Sequence, residues 1–441
     1  MSKFRIPSFL IKSFLIPVII VVYACSSSEN EESLPDNSGG DTESPTTPEE
    51  EQNMPPNAFN LIEVANDSES VELSPNFEWE FATDPENEAI TYSFFLDTSE
   101  NPTTQLATNL SDTSYNLEAE LELGTTYYWQ VEASDASGNT TISAIFSFTT
   151  KPIGSFVAQP DFGFRHHAAV TELNGRLYML GGFGTVNGAP QHYLDDVWSS
   201  DDGEVWTLEA DNPGFIARAL HPLVAFNDKM FLIGGFRANG PSNDIWSSTD
   251  GKNWVMETAN AEFPEDWGHK MLHFNDKLWL ITGGSNNESN RSVWNSENGV
   301  NWTRVVEDIG FSLNLDLEAV VFNNRMWVIV NDEIHSSDNG IDWTLELEDA
   351  PFADLGTSGF SLKEYSLVVH NGKMVLMVSR QDTSESADIW SSSNGKDWIL
   401  EHTQTAFPNR EDNSFISFGG KIYIMLGFND QGFLGDIWTL D

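Results

Sequence analysis

The sequence predicts an all-β chain in which a small antiparallel sandwich precedes a six-bladed β-propeller closed by an N-terminal strand. Three observations predict it. Tryptophan recurs in pairs eight residues apart, at Trp198 and Trp206, Trp246 and Trp254, Trp294 and Trp302, and Trp390 and Trp398, with His335 and Trp343 as a variant. A turn dipeptide precedes each pair, and from Asn174-Gly175 onward the intervals are 53 residues and then 48 four times running, ending at Gly419-Gly420. Short alternating apolar runs flank these dipeptides. A fixed period of this size means a propeller or a solenoid.

Taken in order, the chain opens with residues 1–24, where Lys3, Arg5 and Lys12 accompany an apolar run from Phe14 to Val22 that is too short for a membrane span. Val22-Tyr23-Ala24-Cys25 resembles a bacterial lipobox, with Tyr23 bulkier than the usual small residue. The resemblance implies a lipoprotein signal peptide and a lipid on Cys25. Cys25 is the only cysteine, so no disulfide is expected within the mature chain. Residues 25–54 then read as an extended, self-repelling tether, because positions 26–54 carry nine acidic and no basic side chains. Glu29, Glu31 and Glu32 soon after Cys25 resemble the export signal of surface lipoproteins in the Bacteroidetes, which implies an outward-facing outer-membrane lipoprotein.

Residues 55–151 alternate apolar and polar positions in short runs, at 71–73, 76–79, 91–96 and 126–131, split by turn residues. That pattern argues for an antiparallel sandwich. Trp79, Asp84-Pro85-Glu86-Asn87-Glu88, the run Leu123 to Trp129, and Ala133-Ser134-Asp135 resemble a fibronectin type III domain, which implies a spacer or docking module. Asp84, Glu86 and Glu88 offer oxygens to a hard cation, but no complete ligand set is visible and an exposed acidic turn is the simpler expectation.

Residues 152–441 hold the repeats. In one unit, 220–226 and 229–235 form a hairpin about Asn227-Asp228, 244–248 is a third strand, Asp250-Gly251 turns the chain, and 254–258 is a fourth. Six hairpin markers predict six blades, yet only five complete fourth strands follow them. The missing one is expected upstream, where the stretch from Ser155 to Phe164 aligns with that from Trp206 to Phe215. Such closure hides the edges that an open stack would expose.

Gly181-Gly182, Gly234-Gly235 and Gly283-Gly284, with Tyr193 and Trp198, resemble kelch repeats, which implies a kelch-type, galactose oxidase-like propeller. The match weakens where Val330-Asn331, Val378-Ser379 and Leu426-Gly427 replace the doublet. Ser199-x-Asp201-x-Gly203-x-x-Trp206 and Ser336-x-Asp338-x-Gly340-x-x-Trp343 resemble the Asp-box of sialidase-like propellers. That box is a structural turn and says nothing of catalysis.

The formal net charge is −47, and no Lys or Arg lies between Ser13 and Thr150. Such a field repels phosphate backbones and excludes nucleic acid as a partner. Tight turns fill one face of the repeat domain, so a site is expected on the other, where the longer loops 183–194, 236–243, 285–291 and 348–361 lie. Nine residues before each turn dipeptide stand Arg165, Arg218, Asp266, Asn314, Leu362 and Arg410, and six before two of them stand His221 and His269. Three Arg at equivalent positions in so acidic a chain suit either a bidentate grip on an anionic group or a structural brace. Trp267 is off-pattern, its equivalents including His166 and Ala219, and it suits stacking on a sugar ring or loop packing. The candidate ligand site is therefore Arg165, His166, Arg218, His221, Asp266, Trp267, His269 and Arg410, with no catalytic residue assigned.

No P-loop, zinc-spaced Cys/His cluster or nucleophile elbow is present, and neither a cofactor nor a metal is expected. Three function classes stand open: a cell-surface binding module for glycan or protein, held to the membrane by a lipid anchor alone; a carbohydrate-active enzyme, epimerase-like or lyase-like; and a structural adhesin. A copper radical oxidase is disfavoured, because the only cysteine belongs to the lipobox. Fold alone does not decide among these.

Overall fold

The computed structural model describes residues 53–440 except 187–189, 284–290, 314–316, 353–362, 381–385 and 404. Cys25, the signal peptide, nearly all of the tether, Asn314 and Leu362 lie outside the described residues, as do large parts of the loops 285–291 and 348–361. Among the described residues every named element is a strand.

The N-terminal strands form two sheets. One pairs Leu61–Glu63, Asn76–Trp79 and Ser114–Asn116. The other centres on Thr91–Asp97 and Thr126–Ser134. Alternation decides their packing: Tyr92, Phe94 and Leu96 point inward from one strand and meet Trp129, Val131 and Ala133 from its neighbour. Phe77, Trp79 and Phe148 complete that core. The acidic turn is braced internally, because Asp84 accepts the Glu86 and Glu88 backbone N–H groups and Glu88 accepts Ser137.

Six further antiparallel sheets each hold four consecutive ladder positions, with first strands Ala169–Leu173, Leu223–Phe226, Lys270–Phe274, Glu318–Phe322, Lys363–His370 and Ser414–Phe418, and short strands elsewhere form one three-stranded and one two-stranded sheet. Each first strand turns into the second through its Asn- or Gly-containing dipeptide, both residues of which take positive φ, as at Asn227 (48°) and Asp228 (60°). Those angles match the twist of a two-residue hairpin. In the sixth sheet the outermost strand is Ser155–Ala158, which pairs with Ile437–Leu440. First strands of successive sheets are neighbours, and that of the sixth sheet also neighbours that of the first. Buried apolar clusters lie between successive sheets, and one joins Tyr423 and Met425 of the sixth to Leu177 and Met179 of the first.

The turn before each fourth strand differs by one residue from the Asp-box expected. Ser200, not Ser199, receives the Gly203 N–H at 2.8 Å, and Asp202, not Asp201, accepts from Glu204 and Val205 at 2.9 and 2.8 Å. In the fourth sheet Ser337 and Asn339 take these places. One position along a strand reverses the side chain, so Asp201 and Asp338 instead meet Arg176 and Arg325. The glycine of this turn is required by close approach: a Cβ on Gly340 would stand 2.2 Å from the Trp279 ring of the preceding sheet. Gly251 meets Tyr178, Gly299 meets Phe231, Gly395 meets Trp327, and Gly203 meets Tyr423 of the sixth sheet in the same way. The equivalent residue of the fifth sheet is Val375. Its neighbour takes its outer strand from upstream and so has no such turn to receive a ring.

Candidate functional site

The residues singled out in the sequence divide into two groups. Arg165, Arg218 and Arg410 are fully buried. Arg165 donates to both oxygens of Asp196 at 2.7 and 2.8 Å and to the Gly181 carbonyl at 2.9 Å. Arg218 repeats this with Asp244 at 2.7 and 2.9 Å and Gly234 at 2.8 Å. Arg410 does so with Asp436 at 2.8 and 3.2 Å and Leu426 at 3.0 Å. Each guanidinium also lies over a phenylalanine three residues upstream, at 5.6–5.9 Å. Burial raises the Asp244 and Asp436 carboxyls, but the paired arginines outweigh it and hold both below the usual range. The indoles of Trp198, Trp246 and Trp438 donate to the same three aspartates. These arginines are braces tying the first strand's entry to the second and third strands. Of the two readings open for these three arginines, the ion pairs with Asp196, Asp244 and Asp436 favour the brace over a grip on an anionic group.

His221, His269 and Asp266 are buried as well. His221 packs over Gly181 and Gly235, whose missing side chains make room for it, and a Cβ on Gly235 would stand 2.6 Å from that of His221. His269 packs near Gly234 in the same manner. The first glycine of each pair thus makes room for the histidine of the following sheet, and Gly235 for that of its own. Burial, aided by Arg218, pushes the His221 imidazole down to about 3; burial, opposed by Asp266, pushes His269 down to about 4. Asp266 accepts the Trp267 N–H at 2.9 Å.

His166 and Trp267 are only half-buried, and they belong to an arc of rings that sequence reasoning did not assemble. Trp267 meets Phe236 with centroids 5.6 Å apart, Phe236 meets Tyr193 at 6.1 Å, and Tyr193 meets Phe183 at 5.0 Å. Phe183 meets His166 at 5.9 Å, His166 stacks on Phe433 at 4.9 Å, and Phe433 meets Phe428 at 5.6 Å. Phe428 is exposed and the others are half-buried. Extensions of the hairpins raise these rings: Phe183–Thr185 pairs with Phe164–His166 and with His192–Tyr193, and Phe428–Asn429 pairs with Gly432–Phe433. One signal was available in the sequence. An aromatic directly follows the glycine at Phe183, Phe236 and Phe428, in the three sheets that also carry an arginine brace.

Beside the arc, His166 Nδ1 and His167 Nε2 lie 2.7 and 3.0 Å from one oxygen of Asp412. Burial raises the Asp412 carboxyl, but the two imidazoles outweigh it and hold it well below the usual range. His167 is pushed down by burial against the pull of Asp412.

Residues 200–437, more than half of the chain, match the DUF6242 beta propeller domain. The chain belongs to this family. The repeat domain is a β-propeller, and all rings of the arc but Trp267 stand on its strands and short hairpin extensions. No curated protein matches the chain.

Proposed function

We propose that this protein is an outward-facing outer-membrane lipoprotein whose propeller binds carbohydrate along the arc from Trp267 to Phe428. On this reading Cys25 carries the anchor, residues 25–54 are the tether, residues 55–151 are a fibronectin type III-like spacer, and residues 152–441 are a kelch-type propeller. The ring has six blades and is closed by the strand Ser155–Ala158, a reading supported by its pairing with Ile437–Leu440 and by the apolar cluster between the sixth and first sheets.

The arc carries the functional proposal. Pyranose rings present flat C–H faces, and a run of partly exposed aromatic rings is the surface such faces stack on. The three arginines that suggested an anionic ligand are consumed by Asp196, Asp244 and Asp436. With a net charge of −47, the chain favours neutral sugars over uronic or sialic acids.

A glycan array probed with the purified protein tests this. Trp267→Ala, Phe236→Ala and Tyr193→Ala should each weaken the hit by roughly 30-fold, the effect of losing a central ring worth about 2 kcal/mol, while the melting temperature stays close to wild type. An array without a neutral-glycan hit, or hits indifferent to all three substitutions, refutes the proposal. A turnover assay on each hit separates a binding module from an epimerase-like or lyase-like enzyme, and a screen that returns only protein partners points to an adhesin.

A further inference from the structure

We propose that His166, His167 and Asp412 hold a divalent transition-metal ion of the zinc class at the mouth of the propeller. The three donor atoms come from opposite ends of the repeat domain, with His166 and Asp412 246 residues apart in sequence. They nevertheless lie within 4.8 Å of one another. A tetrahedral zinc ion with bonds of about 2.0–2.1 Å keeps its donors roughly 3.3 Å apart, so sub-ångström to ångström movements of the side chains admit the ion. Two imidazole nitrogens and one carboxylate oxygen suit zinc and its neighbours; calcium and magnesium take oxygen donors.

The backbone under the donors is fixed. The His167 N–H donates to the Asp412 carbonyl at 3.0 Å, and the Asp412 N–H donates to the Glu364 carboxylate at 2.6 and 2.7 Å. His167 and Asp412 both take positive φ, 53° and 54°. Leu220 and Gly268 share that kink without carrying donors, so the kink recurs in the first, second, third and sixth sheets, whereas the His-His-Asp set belongs to the seam between the sixth and first. The His166 ring is held by stacking on Phe433. Positioned donors of this kind bind without reorganising the chain.

The site is also open. Side-chain exposures of 16%, 24% and 26% for His166, His167 and Asp412 leave the cluster in reach of solvent. Three protein donors with an accessible fourth position are the arrangement that accepts an exogenous ligand. Binding exchanges the two N–H···O hydrogen bonds for metal bonds. The ring nitrogens facing Asp412 give up their protons, either to the other nitrogen of the same ring or to solvent, and no electron moves. This inference is independent of the glycan proposal: the ion can bind whether or not sugars do.

The test uses the full chain in detergent, stripped with a chelator and titrated calorimetrically with zinc chloride. One ion per chain is expected at micromolar concentration. Loss of a direct ligand in His167→Ala or Asp412→Asn should weaken it by more than the roughly 10- to 100-fold that losing an outer-shell partner costs. His192→Ala, which removes an exposed imidazole of a nearby hairpin, should bind as wild type does. The visible spectrum of the cobalt(II)-loaded wild type decides the matter even if the variants misfold. An intense tetrahedral spectrum supports the site. The spectrum of free aqueous cobalt, absent zinc uptake, or wild-type affinity in His167→Ala overturns it.

Discussion

Replacing Arg218 with Ala tests the division between brace and ligand site most directly. The guanidinium makes two hydrogen bonds to Asp244, one to the Gly234 carbonyl and one to the Ile216 carbonyl at 2.9 Å. Both side chains are shielded, at 0% and 7% exposure, so solvent cannot replace what is lost. Removing one partner of such a pair leaves a buried charge and costs about 3–5 kcal/mol. For a domain of this size that is a fall in melting temperature of roughly 5–15 °C. Thermal melts followed by tryptophan fluorescence read the change through Trp246, whose indole shares the Asp244 carboxylate. Asp244→Leu should be similarly costly. The double variant Arg218→Met with Asp244→Leu should recover much of the loss, because it strands neither member of the pair and leaves only Arg237, 3.6 Å from Asp244 and partly exposed, without its carboxylate. An Arg218→Ala protein melting within about 1 °C of wild type, or a double variant as unstable as the sum of the singles, would refute the brace.

Three further outcomes follow from the packing. His221 and His269 are neutral in the fold, with Arg218 and Asp244 facing the first and Asp266 the second. Their folded values lie below the ordinary 6.5, so the unfolded chain takes up protons first as the pH falls; stability is full above about 6.5 and drops by about 2 kcal/mol per histidine between pH 6.5 and 5. Urea melts at the two pH values measure this, and His221→Gln should lessen the slope; an unchanged slope removes His221 as its source. Gly340→Ala should cost more than Gly372→Ala, since both glycines take positive φ but only the first would drive a Cβ into Trp279. The difference should be about 1–3 kcal/mol, and equal losses would show that Trp279 yields freely. Cys25→Ser should abolish labelling by fatty acid and release the protein from the membrane fraction; labelling that persists excludes Cys25 as the anchor.

The hairpin turns were fully legible, because Asn-Gly, Asn-Asp and Gly-Gly are among the few dipeptides that take two positive φ values cheaply. All six occupy the turns foreseen. Strand starts were less so: 220–226 was expected as one strand, yet the ladder begins at Leu223, after Leu220 turns left-handed at φ 56°. The arginine positions were legible and their partners were not. Position counting found Arg165, Arg218 and Arg410 but not their partners Asp196, Asp244 and Asp436, which stand in or immediately before the third strand and become neighbours only when the sheet forms. Asp412 and His167 escaped for the same reason, their contact spanning nearly the whole repeat domain. The Asp-box slip was a matter of register, where a motif with acids at adjacent positions does not say which one faces the turn.

The strand Ser155–Ala158 has a mechanical consequence. The chain leaves the N-terminal sheets at Phe146–Thr150 and reaches this strand within a few residues. Any pull applied from the N-terminal side therefore arrives at the strand that completes the sixth sheet. Just ahead of it, Ile153 is buried, bridges to Thr405 and accepts the Ala406 N–H at 2.8 Å. That contact works as a strain relief: it must yield before load reaches the ladder with Ile437–Leu440. Flow or a tugging partner would peel this seam first, while the five sheets built wholly from contiguous chain remain unloaded.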